Sequence, residues 1–232
     1  MKLTFVRLLG IAALSVPLTL PVQIASAQPC PDVQVVFARG TYEPPGVGLT
    51  GQAFVDALRA RAGERSVDVY PVDYEAGGNF GGGIEFAKTV VDGIRDAANH
   101  IQATVATCPS TRVVLGGYSQ GAVVAGFVTS AAVPDSIPAE YAQYIPDPMS
   151  PDTANHIAAV VLMGKPSDQF MRDVGAPPIV IGPRYVDKTI ELCIPGDTIC
   201  DGAPPGPPTL AHGLYVVNGM ADEGAAFAID RL

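Results

Sequence analysis

Short runs of apolar, often β-branched residues alternate along this chain with longer stretches in which apolar side chains return every third or fourth position. Residues 33–37 form the first run, and after a loop over 38–45 the positions Leu49, Ala53, Phe54, Ala57 and Leu58 fall on one helical face. A second run occupies residues 67–72. The glycine-rich segment 77–83 then leads into the clearest helical signal, with Ile84, Ala87, Val91, Ile94, Ala98, Ile101 and Val105 spaced by three and four. Residues 111–116 predict the next strand, a small-residue helix is expected from 122 to 133, and further strands are expected at 156–164 and 185–192. Strands that are apolar almost throughout and alternate with helices predict an α/β fold, a three-layer sandwich with a central, mainly parallel sheet covered on both faces. In such sheets ligands gather beyond the carboxyl ends of the strands. Proline and glycine concentrate at 134–151 and 203–208, which read as loops inside one domain spanning residues 28–232.

At the carboxyl end of the strand over 111–116 stands Gly117-Tyr118-Ser119-Gln120-Gly121. A serine on a tight strand-to-helix turn projects its hydroxyl away from the sheet, and the helix N-terminus behind it offers free N–H groups to a developing oxyanion. The five-residue pattern arises readily by chance, so a base and an acid have to be found. In folds of this type their order along the chain is serine, acid, histidine. His100 precedes the serine and sits in the long helix, and His156 opens a strand. His212 satisfies the order from a loop near the C-terminus, although its plain alternative is an exposed loop histidine. Asp197 lies between Cys193 and Cys200, in a small loop that a disulfide would hold rigid, as an orienting carboxylate requires. Pro195-Gly196-Asp197 is equally a common turn tripeptide. Asp187 falls inside the strand pattern, and Asp201 lies just outside the cysteine loop.

Residues 1–27 combine Lys2 and Arg7 with an apolar run over 8–20 and then Ala25-Ser26-Ala27, the pattern of a secretory signal peptide cleaved after Ala27. Pro17 interrupts the run and Pro21 ends it, and it is shorter than the roughly 20 apolar residues a membrane span needs. Without its two basic residues the formal net charge of −9 becomes −11. So acidic a chain argues against nucleic acid or anionic lipid headgroups as electrostatically held partners, and no stable membrane insertion is expected. Four cysteines in an exported chain predict two disulfides. Cys30 with Cys108 and Cys193 with Cys200 is the preferred pairing, because the second pair closes a short loop and leaves the first to staple the N-terminus. No C-x-x-C occurs and the histidines are scattered, so no metal site is expected.

Taken together, Phe37-Ala38-Arg39-Gly40-Thr41, the Ser119 pentapeptide, the octapeptide from Cys193 to Cys200, and His212 with Tyr215 three residues on resemble the cutinase family of serine esterases. The four motifs occur in family order and span nearly all of the chain after residue 27. The resemblance implies a compact α/β-hydrolase with no large lid and a catalytic set of Ser119, Asp197 and His212. It implies an oxyanion hole made by the backbone N–H of Gln120 and by Thr41, and the same disulfide pairing. A secreted monomer without a cofactor is expected, acting through an acyl-enzyme on aliphatic, lipid-like or polyester esters. Fungal members usually carry serine where this chain has Thr41, whose hydroxyl is more restricted in rotamer.

Two rival readings remain at this stage. Gly46-Val47-Gly48-Leu49-Thr50-Gly51 matches a dinucleotide fingerprint, but its first glycine lies well beyond Phe37, whereas the fingerprint needs it at the strand end. A non-catalytic lipid-binding or surface-binding protein could keep the same shell, yet no catalytic group is missing from this chain.

Overall fold

Each strand sends alternate side chains to opposite faces of the sheet, and in this protein both faces are apolar. The computed structural model describes residues 29–202 and 206–232. The expected signal peptide over 1–27 lies outside the described residues, as does part of the proline-rich stretch over 203–208. The elements run β1 (Val33–Ala38), α1 (Gly48–Arg61), β2 (Val67–Pro71), α2 (Ile84–Thr107), β3 (Arg112–Tyr118), α3 (Gln120–Val128), α4 (Ala139–Ala142), α5 (Pro151–His156), β4 (Ile157–Met163), α6 (Asp168–Asp173), β5 (Thr189–Leu192) and α7 (Met220–Ile229). The strands form one sheet in the order β2-β1-β3-β4-β5, and every described neighbour pair is parallel.

Strands β1 and β4 are buried at every position and β3 at all but its first. On one face Val36, Leu115, Val160 and Leu162 meet Ile94 and Ile101 of α2 and Ala125 of α3. On the other, Phe37, Val114, Val161 and Met163 meet Phe54 and Leu58 of α1 and Ala225 of α7. This is the three-layer α/β arrangement expected from the periodicity. Truncating a fully buried side chain such as Leu58 or Phe54 to alanine would cost about 2–5 kcal/mol.

Several boundaries differ from the sequence expectation. Helix α3 ends at Val128 rather than at 133, because Thr129 turns the chain: its hydroxyl donates to Gly126 O at 2.6 Å and its carbonyl accepts the Gly182 N–H at 3.1 Å. His156 closes α5 instead of opening a strand. Ser150 caps that helix by accepting the Thr153 N–H at 3.1 Å, and Pro151 suits its first turn. Asp187 lies in a 3-10 turn and not in a strand: the Lys188 N–H reaches Tyr185 O at 3.0 Å, and β5 begins only at Thr189. Helix α7 had no sequence expectation. It lies close on the sheet through small residues, and a Cβ at Gly224 would stand 2.7 Å from Val161 Cγ1.

The strand order changes direction between β1 and β3, where the crossovers from the two strands leave for opposite faces and open a crevice at their carboxyl ends. The loop carrying Thr41 follows β1, and Ser119 follows β3.

Candidate active site

Ser119 joins β3 directly to α3 with φ 53° and ψ −117°, one of three non-glycine residues with positive φ among those described. Such a conformation costs a serine about 1–3 kcal/mol and persists only because its surroundings impose it. The Ser119 N–H donates to Met163 O at 2.9 Å, which pins the turn to β4. The flanking glycines are required by close approach: a Cβ on Gly117 would collide with the backbone of Gly121, and a Cβ on Gly121 with the carbonyl of Ala38.

His212 arrives from a 3-10 turn over Leu210–Gly213. Its Nε2 lies 2.8 Å from Ser119 Oγ, and its Nδ1 lies 2.8 Å and 2.9 Å from the two carboxylate oxygens of Asp197. An ionised carboxylate only accepts, so the proton belongs on Nδ1, and Nε2 is left as the acceptor for the serine hydroxyl. Of the other histidines, His100 stacks on Tyr70 with ring centroids 3.4 Å apart, and His156 sits at the end of α5.

Asp197 is fully buried in the loop closed by the Cys193–Cys200 disulfide; the other bridge joins Cys30 to Cys108. Burial alone pushes its carboxyl up. Hydrogen bonds from His212, from the Tyr215 hydroxyl at 2.7 Å and from the Ile199 N–H at 3.0 Å pull the other way and prevail, so the carboxyl lies below the ordinary range. Tyr215 also accepts the Ile194 N–H at 3.1 Å, and burial raises its phenol, which keeps it a donor. Tyr118, the second residue of the pentapeptide, donates its hydroxyl to the backbone carbonyl of His212 and packs its ring 5.2 Å from the imidazole.

Thr41 and Gln120 line the same cleft as Ser119 and His212. The Gln120 N–H is the first of α3 and has no intrahelical acceptor. Gln120 Nε2 donates to Gly77 O at 2.9 Å, tying the serine turn to the segment before α2. The Thr41 loop is fastened from two sides. Arg39 donates to the carbonyls of Glu43, Tyr74 and Glu75 at 3.1, 2.6 and 3.0 Å. The Glu43 carboxylate accepts the N–H groups of Gly40 at 2.6 Å and Leu49 at 2.7 Å.

Glu43 therefore occupies the N-terminus of α1, the place a dinucleotide pyrophosphate would need, and the glycines over 46–51 serve as a loop and helix start. Sequence reasoning passed over Glu43 and gave no role to Tyr118. Glu43 acts across the loop onto a helix it does not belong to, and Tyr118 was hidden as the variable position of a motif.

The chain matches the cutinase family over residues 29–232. It is 55% identical over 174 residues to "Probable carboxylesterase Culp7" of Mycobacterium tuberculosis, covering 75% of this chain and 89% of the relative. It is 39% identical over 231 residues to "Phospholipase Culp4" of the same organism, covering 100% of this chain and 92% of the relative. Among solved structures it resembles a Trichoderma reesei cutinase in complex with a phosphonate inhibitor, at 31% identity and a TM-score of 0.60, covering 87% of this chain and 77% of that one. The chain belongs to the cutinase family, a family of carboxylic ester hydrolases.

Proposed function

We propose that the protein is a secreted serine esterase that works through Ser119, His212 and Asp197. The observation that carries this reading is the unbroken chain of contacts from Ser119 Oγ to His212 Nε2 and from His212 Nδ1 to Asp197, each about 2.8 Å long. His212 takes the proton of Ser119 as the hydroxyl attacks the ester carbonyl. The tetrahedral oxygen receives the N–H groups of Gln120 and Thr41, each such donor contributing roughly 3–4 kcal/mol to the transition state. His212 then protonates the departing alcohol, and water activated by the same ring releases the acid from the acyl-enzyme.

The buried carboxylate holds the imidazole in the required tautomer and stabilises its cation. Export is supported by the two disulfides and by the signal-peptide pattern over residues 1–27. The working unit is a monomer whose single domain spans residues 28–232, and its substrates are aliphatic or lipid-like esters.

A fluorescent alkylphosphonate tests the reading. Ser119 is labelled stoichiometrically, and Ser119→Ala keeps the fold while ester turnover drops on the order of 10⁴-fold or more. Full turnover in Ser119→Ala would sink the assignment. A folded wild type that resists the phosphonate would favour the non-catalytic lipid-binding alternative.

A further inference from the structure

The residue before the nucleophile is a tyrosine whose hydroxyl takes no part in the proton path from Ser119 to Asp197. Tyr118 closes β3 and is only 9% exposed. Side chains alternate along a strand, and Tyr118 points into the layer of α1 and α7, among Phe37, Met163 and Tyr215. A phenylalanine would suit that apolar layer and would need no buried partner. The Tyr118 hydroxyl has one, the His212 carbonyl, and among the described residues no other donor reaches that oxygen. Burial pushes the phenol up, so it stays protonated and donating.

The ring makes a second set of contacts. A Cβ at Gly40 would stand 2.7 Å from Tyr118 Cδ1 and 2.9 Å from Cε1, so the loop carrying Thr41 lies directly on the ring. The same ring packs 5.2 Å from the His212 imidazole and 5.5 Å from the Tyr215 ring, measured between centroids.

The base needs this support. Its turn over Leu210–Gly213 is four residues long, and the His212 N–H reaches only as far back as Thr209 O, at 3.0 Å. Asp197 fixes Nδ1 of the imidazole but not the backbone that carries it. A displacement of about 1 Å between reacting groups costs on the order of 10²-fold in rate. Because the tether on His212 starts at the neighbour of Ser119, nucleophile and base take their positions from one strand end.

We propose that Tyr118 is a positioning residue of the reaction: its hydroxyl sets the His212 backbone, and its ring carries the oxyanion loop at Gly40, so that both keep their distance from Ser119. The inference rests on the serine-esterase reading above.

The test compares Tyr118→Phe with the wild type by steady-state kinetics and by the downfield proton resonance of the His212 Nδ1–H, both recorded well below the Tm of the variant. In Tyr118→Phe kcat falls about tenfold or more with KM within about twofold, phosphonate labelling of Ser119 slows in parallel, and the resonance broadens. Gly40→Ala presses a methyl on the ring while the hydroxyl is retained, and it broadens the same resonance; it also serves if Tyr118→Phe does not fold. Wild-type kcat in a folded Tyr118→Phe that has lost only Tm overturns the proposal, as does a raised KM at unchanged kcat, or a lost kcat with the resonance still sharp. An unaltered resonance in a folded Gly40→Ala overturns the link through the ring. Each of these failures leaves the esterase reading standing. Absence of both ester turnover and phosphonate labelling in the wild type overturns that reading instead.

Discussion

The hydroxyl of Tyr215 donates to Oδ2 of Asp197 at 2.7 Å, only three residues beyond the histidine that the same carboxylate holds. The tyrosine thereby fixes the acid and the short cysteine loop together, since it also accepts the Ile194 N–H.

Tyr215→Phe removes one donor from a buried carboxylate and orphans a backbone N–H. The expected result is a fall in kcat of about tenfold with KM little changed, and a loss of stability of about 1–3 kcal/mol. Steady-state kinetics and thermal unfolding check both. A KM effect with kcat intact would show that the hydroxyl serves substrate binding and not the acid.

Asp197 makes a pH prediction whose sign follows from its depressed carboxyl. Folded, the group binds fewer protons than in the unfolded chain. Its contribution to stability is therefore complete above the unfolded value of about 3.9 and is lost as pH falls through the lower folded value. The gap in Tm between the wild type and Asp197→Asn should stay level at neutral pH and narrow below about pH 4. A gap already closing at pH 6 would contradict the hydrogen-bonded carboxylate described above.

Replacing Cys193 and Cys200 together by serine opens the loop that carries the acid. Stability should fall by about 2–3 kcal/mol from the lost closure. Activity should fall further than stability explains, because Asp197 loses its fixed position. Measuring kcat well below the variant's own Tm separates the two effects.

Glu43→Gln leaves the size of the side chain unchanged but weakens its grip on the Gly40 and Leu49 N–H groups. With the Thr41 loop loosened, kcat should drop about tenfold while the phosphonate still labels Ser119. Unaltered kcat in a folded variant would rule out a positioning role.

Much of this architecture is readable from the chain alone, for identifiable reasons. The central strands are buried on both faces, so β1, β3 and β4 appear as unbroken apolar runs, and α2 shows its stripe over many turns. Ser119, Asp197 and His212 stand in an order that points to the residues the fold draws within hydrogen-bond distance. Helix α7 escapes because it packs through alanine and glycine, whose small side chains give a weak apolar signal although their backbone lies close on the sheet. Tyr185, Asp187 and His156 mislead because a cap or a turn claims the residues next to a strand. Ile84 and Ala87 continue the α2 stripe in the sequence and look like ordinary core there, yet both are exposed in the fold.

The crevice between β1 and β3 separates two kinds of change that this protein could undergo. Ser119 and the Thr41 loop are fastened to neighbouring strand ends, where a shift of either would disturb the whole sheet. Much of the cleft beyond them is lined by the surface segment over 134–149, in which the Tyr144 carbonyl accepts a hydrogen bond from Arg95 of α2. Substitutions in that outer segment therefore alter the walls of the cleft while Ser119 and the Thr41 loop stay where the sheet holds them.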